Sequence, residues 1–190
     1  PEGSLKQLRA KGNLAPTLPF HESFLVVAKN YRVWLLFLLY AACFGVELTI
    51  NNVAALYFHD RFDLSVTTAG FIAGLFGFMN IFARSLGGVF GDKAGMKWGL
   101  RGRVLFLGVA LFLEGLTLML FSQMSVLLLA VGAMIIFSLF TQMCEGATFS
   151  IVPFVNRRLL GPVAGIVGAG GNAGAVAAGF LFRMESLSTQ

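Results

Sequence analysis

Five polar side chains in this sequence stand inside long apolar runs: Arg84, Glu47, Glu145, Asn80 and Asn172. An arginine at mid-membrane costs about 2.5–3.5 kcal/mol on insertion scales, so residues of this kind bind ions, relay protons or pair with one another. At 100° per helical residue, Arg84 shares a stripe with Gly77, Asn80, Gly88 and Gly91. A guanidinium flanked by glycines has room for something to approach it. Arg84 therefore reads as an anion ligand, or as the partner of Glu145 or another carboxylate. Glu145 shares its stripe with Ser138, Thr141, Gln142 and Thr148. It serves either as an ion-pair or hydrogen-bond partner or as a proton carrier. Glu47 aligns with Tyr40, Cys43 and Asn51, which suggests a polar network with a role in proton coupling as the alternative. Asn80 and Asn172 supply neutral donors, for a ligand or as interhelical glue. Asn52 falls on a different face from Glu47, so it reads as packing. Glu114 receives no role.

A second group is defined by what it lacks. The stretch "GIVGAGGNAGAV", residues 165–176, contains Gly165, Gly168, Gly170, Gly171 and Gly174 around Asn172. In water each glycine would cost a helix about 1 kcal/mol relative to alanine. In lipid the backbone cannot exchange its hydrogen bonds for water, so that figure overstates the penalty. Small residues at three- and four-residue spacing let helices pack closely. Gly161, Gly165 and Gly168 form one such face, and Gly170 and Gly174 the opposite one, as in a helix held between neighbours on both sides.

The elements that position these groups follow from composition. The chain is 57% hydrophobic and only 12% charged, with 20 phenylalanines and a mean hydropathy of +0.80. That is membrane-protein composition. Five apolar runs are long enough to cross a bilayer as helices, at about 33–57, 67–91, 104–121, 126–152 and 161–182. The fold class is therefore all-α and polytopic. Alternating ten-residue strands, which a closed barrel needs, are not present in the sequence. Basic residues fill alternate gaps: Lys6, Arg9, Lys11, Lys29 and Arg32 before the first span, Lys93, Lys97, Arg101 and Arg103 after the second, and Arg157 and Arg158 after the fourth. The positive-inside rule then makes residues 1–32 cytoplasmic. The net charge of +5 is explained by this topology rather than by nucleic acid. Cys43 and Cys144 lie within apolar runs and show no metal-ligand spacing. No nucleophile–base pair or phosphate loop appears, and the glycine-rich run follows no strand. The sequence thus points away from an enzyme, a metal site or a cofactor. The first thirty residues lack a signal-peptide pattern and begin with Pro1, which suggests a start within a loop of a longer protein.

Between the second and third spans, Gly88, Asp92, Lys93, Gly95 and Lys97 fit G-x-x-x-D-K-x-G-x-K. On the basic side this resembles the conserved loop of the major facilitator superfamily, where acid and base form a charge network that locks one conformation. Three longer stretches resemble the nitrate/nitrite porter family, in particular its high-affinity nitrate transporters. These are residues 45–88, "GATFSIVPFVNRR" and "GIVGAGGNAGAV". The resemblance implies helices seven to eleven of a twelve-helix fold, with residues 1–32 as the end of the central cytoplasmic loop and 33–190 as a partial C-terminal half. It implies that Arg84 contacts substrate and that Gly165, Gly168, Gly170, Gly171, Asn172 and Gly174 form the signature helix; with Asn80 from the stripe above, Asn172, Gly168 and Gly171 are expected beside the substrate. The implied partners are nitrate or nitrite, protons, the bilayer and a missing N-terminal half, in a plasma or bacterial inner membrane. The implied function is nitrate transport by alternating access, with proton-coupled uptake favoured. Nitrate/nitrite exchange, another small anion or solute, and a truncated interaction module are the alternatives.

Overall fold

A computed structural model of the chain describes residues 19–188, without the side chains of Phe20 and 181–188. The described elements are all helical: α1 (Phe20–Ala28), α2 (Tyr31–Phe62), α3 (Val66–Phe78), α4 (Asn80–Ser122), α5 (Leu127–Ile151), a 3-10 turn (Val152–Phe154) and α6 (Leu160–Ser188).

Local chemistry sets the ends. Asn30 opens α2 by accepting the Arg32 N–H at 3.1 Å, the usual use of a short polar side chain at a helix start. Asp63 closes α2 in the left-handed conformation, and Ser65 then caps α3 by accepting the Thr68 N–H at 3.2 Å. Asn156 precedes α6 and accepts the N–H groups of Arg158 and Leu159. Two of the ends differ from the sequence expectation. Residues 20–28, expected as loop, form α1, and α2 continues past position 57 to Phe62.

The run from Val66 to Ser122 is one apolar helical stretch of 57 residues. At 1.5 Å per residue it would be roughly 85 Å long, far more than one bilayer core. Trp98 and Gly99 leave helical geometry, with Gly99 at φ +63°. A side chain at positive φ is strained, so glycine is needed at this reversal. The chain turns there, which divides the stretch into two arms. Like α2, α5 and α6, this stretch is long and apolar enough to be a candidate for crossing a membrane.

The principal contacts join α4 to α5 and α2 to α6, with α3 and α5 also against α2. Both main interfaces are backbone-close. A Cβ at Gly146 would meet the Arg84 carbonyl, and one at Gly87 would meet the Met143 backbone. A Cβ at Gly45 would lie 2.7 Å from the Gly174 backbone, and those at Gly170 and Gly174 would meet the backbones of Phe37 and Ala41. The apolar core divides in two. One part gathers Val33, Leu36, Leu107, Ile151 and Val167; the other gathers Phe58, Phe76, Phe121, Met134 and Phe137.

The expectation that α6 is held on both sides is met on one face among the described residues. Gly170, Gly171 and Gly174 pack against α2, but Cβ atoms at Gly161, Gly165, Gly168 and Gly179 would meet nothing within 4 Å among the described residues. Among the described residues, only one glycine face is used.

Candidate functional site

Arg84 lies one turn into α4, and Asn80 is the first residue of that helix, so the two project from one face. Glu47 stands midway along α2, and Glu145 lies on the inner face of α5. The fold brings all four together. Asn80 Nδ2 donates to Glu47 Oε1 at 2.7 Å. Arg84 Nη2 donates to Glu47 Oε2 at 3.2 Å and also to Glu145 Oε2. One guanidinium nitrogen thus serves carboxylates from two helices. The Arg84 carbon also sits 5.5 Å from the centre of the Phe44 ring, a cation–π contact.

Burial within this cluster is uneven. The Glu145 side chain is wholly buried and that of Glu47 is 4% exposed, whereas 39% of the Arg84 side chain is open. Arg84 Nε and Glu145 Oε1 are buried without a hydrogen-bond partner among the described residues. With both carboxylates ionised, the three groups carry a formal charge of minus one. The cluster therefore presents an accessible cation whose charge is already over-matched. A further anion can join only if one carboxylate yields its hold.

Phe44 was not singled out by sequence. Its ring lies between Arg84 and α6, where a Cβ at Gly171 would run into it. Gly171 thus makes room for the aromatic wall behind the guanidinium. Phe44 is also stacked on Tyr40, with centroids 5.2 Å apart. Asn172 follows Gly171 and is exposed, on the open face with Gly168. It stands outside the Arg84 cluster. Asn51 does too: it is exposed, and its Oδ1 lies 3.6 Å from where a Gly77 Cβ would be.

The Asp92 motif also differs from the expected arrangement. Gly88 and Asp92 lie within α4 rather than in a loop. Asp92 pairs with Arg103 from the next arm, and Arg103 donates to the Ser150 carbonyl at 3.3 Å and stacks on Phe154 at 4.7 Å. Gly95 lets the arginine cross, since a Cβ there would lie 2.8 Å from Arg103 Cζ. Lys93 and Lys97 lie instead over the rings of Phe90 and Trp98. A groove of about 530 Å³, lined by Leu36, Leu39, Leu107, Leu111 and Phe154, includes none of Glu47, Asn80, Arg84 and Glu145 in its wall.

The family model described as Major Facilitator Superfamily matches residues 2–179. The high affinity nitrate transporter 2.5 of Arabidopsis thaliana is 46% identical over 85% of this chain and 32% of its own length. The nitrate transporter 2.2 of Chlamydomonas reinhardtii is 43% identical over 92% of this chain and 32% of its own. The high affinity nitrate transporter 2.7 of Arabidopsis thaliana is 45% identical over 80% of this chain and 31% of its own. The chain spans about a third of the length of these relatives. No solved structure matches it.

Proposed function

The chain belongs to the Major Facilitator Superfamily, within its nitrate/nitrite porter family, and on that footing we propose that it forms part of a proton-coupled nitrate transporter, with nitrite as a second substrate. The observation that carries this reading is Arg84: within a long apolar helix, partly open, and shared between Glu47 and Glu145. Nitrate is planar, singly charged and an acceptor only. Arginine offers planar donors that stay charged, which suits such an anion better than the single ammonium of lysine. Asn80, and Asn172 from the open face of α6, add neutral amide donors. Gly168 leaves that face free for the ion or for a partner helix.

Proton coupling follows from competition. With both carboxylates ionised, nitrate meets a cluster that is already net negative. Protonating one carboxylate makes the cluster neutral and releases an Arg84 N–H. Proton and nitrate then favour each other's binding, and the coupling is reciprocal by linkage. The remaining donors come from a complementary half, with access alternating as the halves rock about a midplane site. Residues 1–32 are placed on the cytoplasmic side.

The test is nitrate-dependent current in the full-length transporter as pH is varied. Nitrate should bind more tightly as pH falls. Arg84→Lys should reduce the current by about a hundredfold at unchanged surface amount, the scale of losing a charge-assisted hydrogen-bonded contact. Full nitrate transport by Arg84→Lys would remove the basis for the site, and an unaltered current carried by another solute would point to a different substrate.

A further inference from the structure

Two side chains of α5 reach the same backbone atom of a neighbouring helix. Ser138 Oγ donates to the Phe76 carbonyl at 2.8 Å, and Gln142 Nε2 donates to it at 2.9 Å. Both residues are wholly buried, and so is Phe76. Its ring packs on Phe137, with centroids 5.6 Å apart. A carbonyl inside a helix ordinarily accepts the N–H four residues on; for Phe76 that residue is Asn80. Between them the hydrogen-bond ladder is disturbed, although Met79 keeps helical dihedrals and the bonds from the Met79 N–H to the Leu75 carbonyl and from the Ala83 N–H to the Met79 carbonyl persist. α3 ends at Phe78, α4 begins at Asn80, and the Phe82 N–H bonds back only three residues, to the Met79 carbonyl at 3.3 Å. Side chains inserted into a helical ladder are a recognised cause of such breaks.

We infer that Ser138 and Gln142 are positioning residues: by holding the Phe76 carbonyl they fix the break, and the break sets the turn that aims Asn80 and Arg84 at Glu47 and Glu145. Asn80 is the first residue beyond the break and Arg84 lies one turn later. A slip of one residue would rotate both by 100°, away from Glu47. Ser138, Gln142 and Glu145 occupy one face of α5, so the same helix face clamps the backbone and supplies one of the carboxylates. The Gln142 Oε1 has no partner among the described residues despite full burial. A leucine would avoid that orphaned acceptor, whose burial is unfavourable. The amide therefore serves its donor.

The inference rests on Arg84 being the substrate arginine, and two readouts separate the claims. In the full-length transporter, Ser138→Ala and Gln142→Leu each leave one donor on Phe76. Each should change the nitrate KM by no more than about twofold. The double variant loses both and should raise KM about tenfold and alter the pH profile, at unchanged surface amount. Ser138→Thr combined with Gln142→Leu keeps a hydroxyl and should restore KM. Hydrogen exchange gives the second readout, independent of nitrate. In the double variant the Asn80 N–H regains the Phe76 carbonyl, so its exchange should slow. A double variant with wild-type KM and wild-type Asn80 exchange overturns the inference, as does one changed only in amount. Slowed exchange with currents indifferent to nitrate in every variant would retain the clamp and overturn the nitrate reading.

Discussion

At Arg84 a single nitrogen meets carboxylates from α2 and α5 while more than a third of the side chain stays open. Glu145 is wholly buried and holds Arg84 from the inner face of α5, so it is the carboxylate whose release of Arg84 a neutral variant tests. Glu145→Gln fixes the neutral state. Its nitrate KM at neutral pH should fall about tenfold, towards the acid-pH value of the parent, and lose most of its pH dependence. Net uptake driven by a proton gradient should then fail while nitrate counterflow persists; KM measured across pH, beside gradient-driven uptake, checks both. The residues of this cluster were legible as stripes on separate helices, since helical periodicity reports which groups share a face. Their meeting was not legible: the sequence left open whether Arg84 binds an anion or pairs with Glu145. The structure gives it two carboxylates, and the role of anion ligand then depends on displacing one of them. Phe44 escaped notice because one phenylalanine among 20 carries no signal of its own.

α6 separates packing from function along one helix. Gly170 faces the Phe37 backbone, whereas Gly168 faces open space among the described residues. Gly170→Leu must push α2 and α6 apart. The cost of such overpacking, about 1–3 kcal/mol or more, should appear as loss of folded protein at the membrane. Gly168→Leu should fold and reach the membrane, yet lose transport if its face borders the anion path or a moving partner. Surface amount and nitrate uptake, measured on both variants, distinguish them; normal transport by Gly168→Leu would show that this face is neither. The long helices were plain from the apolar runs, because length and hydropathy identify candidate spans, whereas the short α1 was not. Nor were the breaks. Met79 is an ordinary helical residue by type, and the donors on the nearby Phe76 carbonyl stand 62 and 66 positions from it in sequence. The partner of Asp92 was likewise hidden. Lys93 stands beside it in sequence, but Arg103 reaches it across the turn at Gly99.

For the molecule as a whole, the question is what this helical bundle does by itself. The chain spans about a third of its relatives' length, and Asn172, Gly165 and Gly168 face outward from the bundle it forms. Sequence periodicity gave α6 two glycine faces, but it could not say that only one would find a neighbour within these residues. An unpartnered face bearing an amide and glycines suits an interface with further helices, because small residues permit close approach. On this reading Arg84 lies at the edge of a site whose opposite wall is contributed by a complementary half. The 190 residues reconstituted alone should therefore give no saturable nitrate uptake, since one wall cannot alternate access between two sides. Adding the complementary half as a separate polypeptide should restore uptake, and Arg84→Lys in the reconstituted pair should abolish it again. Saturable, Arg84-dependent uptake by the chain alone would refute the need for a complementary half, and the opposite wall would then have to come from a second copy of this chain.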